Sequence, residues 1–114
     1  MCGILAVFGI SQGSANFRND VLKLSKLLRH RGPDWNGITC FKNCILAHER
    51  LSIVGLNSGA QPITDNDGDV AMSVNGEIYN HIELESELKK ANPNLDDFTT
   101  DSDCEVLLHL YKVS

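Results

Sequence analysis

Long apolar runs are missing from this sequence. The stretch 3–10 is too short to span a bilayer and has no basic segment ahead of it, so neither a membrane anchor nor a secretion signal is expected. Positive charge is sparse too. Ten lysines and arginines face fifteen acidic residues, a formal net charge of −5, and only Arg29-His30-Arg31 is a dense basic cluster. Such a surface does not suit nucleic acid, and no membrane partner is expected. The absence of a Gly-rich phosphate loop excludes a nucleotide site of that kind. The four cysteines, Cys2, Cys40, Cys44 and Cys104, form no metal framework: Cys40-x3-Cys44 with His48 lacks the CxxC pair and the second half of a zinc set. In a reducing cytosol these thiols stay free, and a cytoplasmic location is the expectation. Cys40 and Cys44 read as small apolar strand residues.

What is present suffices for one domain. At 114 residues with 42% apolar side chains, the chain can bury a core of modest stability margin. Residues 2–8 form a continuous apolar run ended by Gly9, which predicts a strand buried on both faces. Asn19 or Asp20 can cap a helix to about Arg29, with Val21, Leu24 and Leu28 as its stripe and Gly32-Pro33 as its stop. Residues 38–42 and 44–54 predict two strands about a tight turn at Lys42-Asn43, the second placing His48, Glu49 and Arg50 at part-buried positions. Asp67-Gly68 predicts a hairpin turn, and Val70, Met72 and Val74 alternate along a strand to Asn75. Asn80 with Glu83, and Ser102 with Glu105, have capping-box spacing and open two helices, the first stopped by Asn92-Pro93. The last helix carries Val106, Leu107, Leu110 and Tyr111 and runs to the final residues without a cap. This order is an α+β pattern with too few strands for a closed two-sheet core, so the chain reads as the front part of a larger domain.

Chemistry concentrates at the start. In Met1-Cys2-Gly3, the cysteine becomes N-terminal once the initiator methionine is removed, which a small second side chain permits. It then carries a thiol and a free α-amine, and the amine, titrating near ~7.7–8.0, can serve as base for a thiol near ~8.5. Alone, the tripeptide says little. Three polar motifs accompany it: Arg29-His30-Arg31-Gly32-Pro33-Asp34 after the first helix, Ala47-His48-Glu49-Arg50-Leu51-Ser52-Ile53-Val54 on a strand, and Asn75-Gly76-Glu77-Ile78-Tyr79-Asn80-His81 between a strand and a helix. Asp103 follows in the first turn of the last helix.

Taken in this order, the motifs resemble the glutaminase domain of the glutamine-hydrolysing asparagine synthetases, which are N-terminal-nucleophile (class II) glutamine amidotransferases. The resemblance runs from Cys2 to about Tyr111. The His30-Arg31-Gly32 segment is shared with other amidotransferases of the class, whereas Pro33-Asp34 and Gly76-Glu77-Ile78-Tyr79-Asn80 look like the asparagine synthetases. It implies a four-layer αββα sandwich of the N-terminal-nucleophile hydrolases. Residues 1–114 would be its glutaminase domain, incomplete at the C-terminus, with the synthetase domain absent. By this resemblance Cys2 is the nucleophile that forms a glutamyl thioester, and Asn75 and Gly76 are the oxyanion donors. Arg50 is the ligand of the glutamine α-carboxylate, Leu51 and Ile53 bind the same substrate, and Glu77 and Asp103 lie near its α-amino group. The residue types suit these tasks. A guanidinium fork pairs with a carboxylate, glycine permits close backbone approach, and a following helix N-terminus favours developing negative charge.

Each assignment has a simpler reading beside it: Arg50 as a strand-surface arginine, Asp103 as a helix cap, Asn75-Gly76 as a common turn pair. His30, His48 and His81 read as hydrogen-bonded scaffold residues, because an amine-assisted nucleophile needs no histidine. Arg31 and Asp34 read as groups that fix the loop near the nucleophile. The implied reaction is hydrolysis of glutamine to glutamate and ammonia without a cofactor; ATP and Mg²⁺ would serve only the synthetase domain, which amidates aspartate. Implied partners are glutamine and a synthetase domain, or another chain supplying the missing part, with self-association left open. Exposed strand edges and an uncovered sheet face would follow from the missing strands. Three readings stand: an enzyme, a catalytically inactive truncated remnant, and a glutamine-binding or interaction module without turnover. Binding alone needs no nucleophile, so Cys2 speaks against the last.

Overall fold

The computed structural model describes residues 2–33, 35–51 and 60–114. Its main sheet has three antiparallel strands in the order β1-β3-β2, with β1 at Gly3–Phe8, β2 at Trp35–Cys40 and β3 at Cys44–Arg50. Strand alternation sorts the side chains onto two faces. Gly3↔Glu49, Leu5↔Ala47 and Val7↔Ile45 share one face, while Ile4↔His48, Ala6↔Leu46 and Phe8↔Cys44 share the other. β2 adds Ile38, opposite Ala47, to the first face and Gly37, opposite His48, to the second.

Helix α1, Arg18–Ser25, packs on the first face. There Val21, Ile45 and Ala47 form a buried cluster flanked by Leu5, Val7, Ile10 and Ile38. Full burial of a side chain such as Ile45 contributes about 1.5–3 kcal/mol. Ser25, one turn after Val21, donates its hydroxyl to Glu49 Oε1 at 2.8 Å, with both residues buried. A buried carboxylate needs such a partner, so the helix turns its Val21–Ser25 row inward and leaves Leu24 and Leu27 exposed. The expected stripe through Leu24 is therefore corrected. So is the cap: a 3₁₀ turn at Ser14–Phe17 leads into α1, Phe17 holds the cap position, and neither Asn19 nor Asp20 caps it. A second 3₁₀ turn, Lys26–Leu28, leads out towards Gly32.

The second face is open mainly along β1, whereas His48 of β3 is fully buried on it. Phe8 is 72% exposed and Ile4 38%. β1 is thus covered on one face, not on both; an apolar run cannot tell these cases apart. An apolar groove of about 510 Å³ lies at the Phe8 end, lined by Phe8, Leu46, Met72, Leu107 and Tyr111 among others. Cys40 pairs with Ile45 and Cys44 with Phe8, so the two cysteines point to opposite faces. Cys40 is exposed rather than packed, because it ends its strand.

Strands β4, Ile63–Thr64, and β5, Ala71–Met72, make a short hairpin. Its turn uses the left-handed conformation of Gly68, φ 75°. Asp65 Oδ1 accepts the N–H groups of Asp69 and Val70. The expected strand to Asn75 shrinks to two residues, but Val70, Met72 and Val74 do pack together on Ile63, Cys104 and Leu108. Two helices follow, α2 at His81–Ala91 and α3 at Glu105–Val113. Neither expected capping box forms. Asn80 makes no side-chain cap, and Glu105 is the first helical residue, too early for the third position a box requires. Glu105 instead accepts from the Thr99 and Thr100 N–H groups at 2.8 and 2.7 Å. Among the described residues no helix is long and apolar enough to cross a membrane.

Candidate active site

The register of β1 on β3 builds the first half of the site. Gly3 lies opposite Glu49, so Cys2, one residue earlier, comes level with Arg50 at the end of β3. Alternation puts both on the second face, with His48 and Ile4 behind them. Cys2 is half-buried and tied at two points. Its backbone nitrogen donates to Asn75 Oδ1 at 3.2 Å, and its carbonyl accepts from Arg31 Nε at 3.2 Å. Arg31 therefore fixes the chain beside the candidate nucleophile, as expected; Asp34 and Ile53 lie outside the described residues. Gly32 makes this approach feasible: a Cβ there would overlap the Glu49 carbonyl and the Arg50 backbone.

Arg50 is half-buried, and among the described residues its Nη1 is a buried donor without a hydrogen-bond partner. Such a donor carries a desolvation cost that an anionic ligand would relieve. His48 is fully buried, with Nδ1 3.3 Å from Ser73 Oγ. Burial, and then the neighbouring Arg50 charge, lower its pKa from 6.5 to about 4. The imidazole is neutral at physiological pH and serves the scaffold. His30 likewise bonds locally, its Nδ1 3.1 Å from the Leu27 carbonyl.

The second half is the exposed turn of Asn75, Gly76 and Glu77, which belongs to no regular element. Side chains hold it. Val74 N–H donates to Gln61 Oε1 at 2.6 Å and Ile78 N–H to Asp103 Oδ2 at 2.5 Å. Cys104 Sγ lies 3.5 Å from the Gly76 carbonyl. Burial, and next the Asp103 charge, raise the Cys104 thiol to about 11, so it stays protonated and donates. Asp103 stands two residues before α3 rather than in its first turn, and its carboxylate ties the entry of that helix to the Asn75–Ile78 turn. Leu51 follows Arg50 and is 39% exposed.

The structure thus brings Cys2, Arg50 and Asn75 together, with Gly76 and Glu77 on the adjoining turn and Asp103 bonded to it from just before α3. None of these residues lines the apolar groove at the Phe8 end. The supporting groups Gln61, Ser73 and Cys104 escaped sequence reasoning. Gln61 before Pro62 carries no spacing signal, and Cys104 stands out only as one of four cysteines.

The described residues thus form a mixed α/β fold with antiparallel sheets, in which a half-buried cysteine heading an edge strand bonds an asparagine turn. The family model of the glutamine amidotransferase domain matches residues 1–114, and the chain belongs to that family. It is 53% identical over 112 residues to asparagine synthetase [glutamine-hydrolyzing] 2 of Oryza sativa subsp. japonica, covering 98% of this chain and 18% of that protein. It is 52% identical to asparagine synthetase [glutamine-hydrolyzing] 3 of Arabidopsis thaliana, with the same coverage of 98% and 18%. It is also 52% identical to the probable asparagine synthetase [glutamine-hydrolyzing] of Schizosaccharomyces pombe, covering 98% of this chain and 19% of that one. The chain spans less than a fifth of the length of these curated relatives.

Proposed function

We propose that residues 1–114 are the glutaminase portion of a glutamine-hydrolysing asparagine synthetase, and that they hydrolyse glutamine to glutamate and ammonia through a thioester on Cys2. One observation carries this reading: the Cys2 nitrogen bonds Asn75 Oδ1 at 3.2 Å while strand register sets Arg50 level with Cys2 on the same face. The names of the relatives agree with it.

Removal of Met1 turns the Cys2 nitrogen into the α-amine. That amine takes the thiol proton, directly or through water, and the thiolate attacks the side-chain amide carbon of glutamine. Because the Asn75 oxygen faces the Cys2 nitrogen, the other branch of its amide, Nδ2, is left to donate to the oxyanion together with Gly76 N–H. Arg50 receives the α-carboxylate, Leu51 and Ile53 flank the substrate, and the Glu77 and Asp103 carboxylates face its ammonium. The amine returns its proton to the leaving ammonia, and water then resolves the thioester. This half-reaction uses no cofactor; ATP and Mg²⁺ belong to a synthetase domain, which receives the ammonia to amidate aspartate. The four-layer sandwich and a cytoplasmic location are part of the same proposal. The open face carrying Ile4, Ala6 and Phe8 supports the former, as the surface on which a further sheet would pack.

The test is the intact mass of the purified chain with and without the glutamine analogue diazo-oxo-norleucine. Loss of Met1 and a single adduct mapped to Cys2 are expected. A folded chain that stays unmodified counts against the reading.

A further inference from the structure

The turn bearing Asn75 and Gly76 has no ladder of its own. β5 ends at Met72, and residues 73–75 lie outside any strand. A half-buried N–H at Val74 must nevertheless find an acceptor, and it finds Gln61 Oε1 at 2.6 Å. Gln61 is firmly seated. Its backbone carbonyl oxygen lies so close to Gly37 of β2 that a Cβ on Gly37 would overlap it. Gly37 pairs in register with His48, whose Nδ1 lies 3.3 Å from Ser73 Oγ. Three consecutive residues are therefore bound towards the main sheet: Ser73 through His48, Val74 through Gln61, and Asn75 through Cys2.

We infer that Gln61 is a positioning residue for Asn75: its backbone is seated against Gly37, and its side-chain carbonyl holds Val74 N–H and so sets where the Asn75 amide points. This inference rests on the function proposed above. Val74 is covalently adjacent to Asn75, so fixing its nitrogen leaves few torsions free before the oxyanion donor. His48 steadies the preceding residue, but its contact is longer and reaches a rotatable hydroxyl. Gln61 contributes the short bond to the backbone itself. Transition-state donors work only when held in place, and a displacement of about 1 Å can cost ~10²-fold in rate.

Gln61→Met keeps the length of the side chain and removes the acceptor; Gln61→Glu restores an acceptor. In the 114-residue chain, hydrogen exchange at Val74 is expected to be slow in the wild type and in Gln61→Glu, and at least tenfold faster in Gln61→Met. Exchange at Ile45 and Ala47 in β3 reports that the fold survives. Glutamine hydrolysis by Gln61→Met should fall ~10–10²-fold in kcat with KM little changed, the mark of an interaction made only in the transition state. Should Gln61→Met lose β3 protection as well, Gln61→Asn, which withdraws the carbonyl by one methylene, carries the same expectation. Unprotected Val74 in the wild type overturns the inference. So does an unchanged kcat when Val74 is relaxed. A wild type that releases no ammonia, yet shows slow Val74 exchange that Gln61→Met relaxes, counts against the proposed reaction and supports the placement of the turn.

Discussion

Cys2 and Arg50 reach the site on the ends of β1 and β3, where six consecutive antiparallel pairs set their mutual position. Asn75 and Gly76 reach it on a turn held by single side chains: Gln61, His48, Asp103 and Cys104. A ladder spreads positional error over many backbone bonds, so no one side chain is decisive. A hook concentrates it in one. The ladder half should therefore respond to mutation chiefly in stability and the turn half chiefly in rate.

The largest expected effect lies in the turn. Under the proposed reaction, Asn75→Ala should lower kcat for glutamine hydrolysis by ~10²–10³, as loss of one oxyanion donor does, and leave the urea midpoint nearly unchanged, since Asn75 is exposed. A comparable fall in stability would erase the contrast. Next comes the ladder. Gly32→Ala drives a methyl group into the Glu49 and Arg50 backbone and should cost about 1–3 kcal/mol, read as a shifted urea midpoint with unaltered m-value. An unchanged midpoint would mean that the loop carrying Arg31 yields freely.

The mildest effect joins the two halves at His48. Its folded pKa, about 4, lies below the ordinary 6.5. Between these values the unfolded chain binds a proton that the folded chain refuses, so stability falls as pH drops from 6.5 towards 4 and is unaffected by this group above 6.5. Urea melts from pH 7 to 5, above the main carboxylate range, should show that slope, and His48→Gln should flatten it. An equal slope in the variant would place the titration elsewhere.

Much of this was legible in the residues. The apolar run 2–8, the Lys42-Asn43 turn, the Asp67-Gly68 hairpin and the Asn92-Pro93 stop all correspond to observed elements, because each depends on a few adjacent residues. Arg31 as a loop-fixing group and His48 as a bonded scaffold residue also hold. Burial of β1 on both faces, the Leu24 stripe of α1 and the Ser102–Glu105 box do not. The reasons differ: nothing among the described residues covers β1 on its second face, the Glu49 carboxylate 24 residues away draws Ser25 inward, and the nearby Thr99 and Thr100 N–H groups claim the Glu105 carboxylate.

By itself, the sequence determined which chemistry is available: a cysteine behind the initiator methionine, an arginine on a strand, an asparagine and glycine at a turn, and a spacing that belongs to the amidotransferase family. Only the tertiary structure decided how they meet. Antiparallel register carried Cys2 to Arg50, and a chain separation of 73 residues closed into the hydrogen bond from Cys2 to Asn75. It also decided that a glutamine with no motif around it would hold that asparagine's neighbour. Local pattern records what a short segment prefers, whereas a buried N–H takes whichever acceptor the packed chain brings within reach.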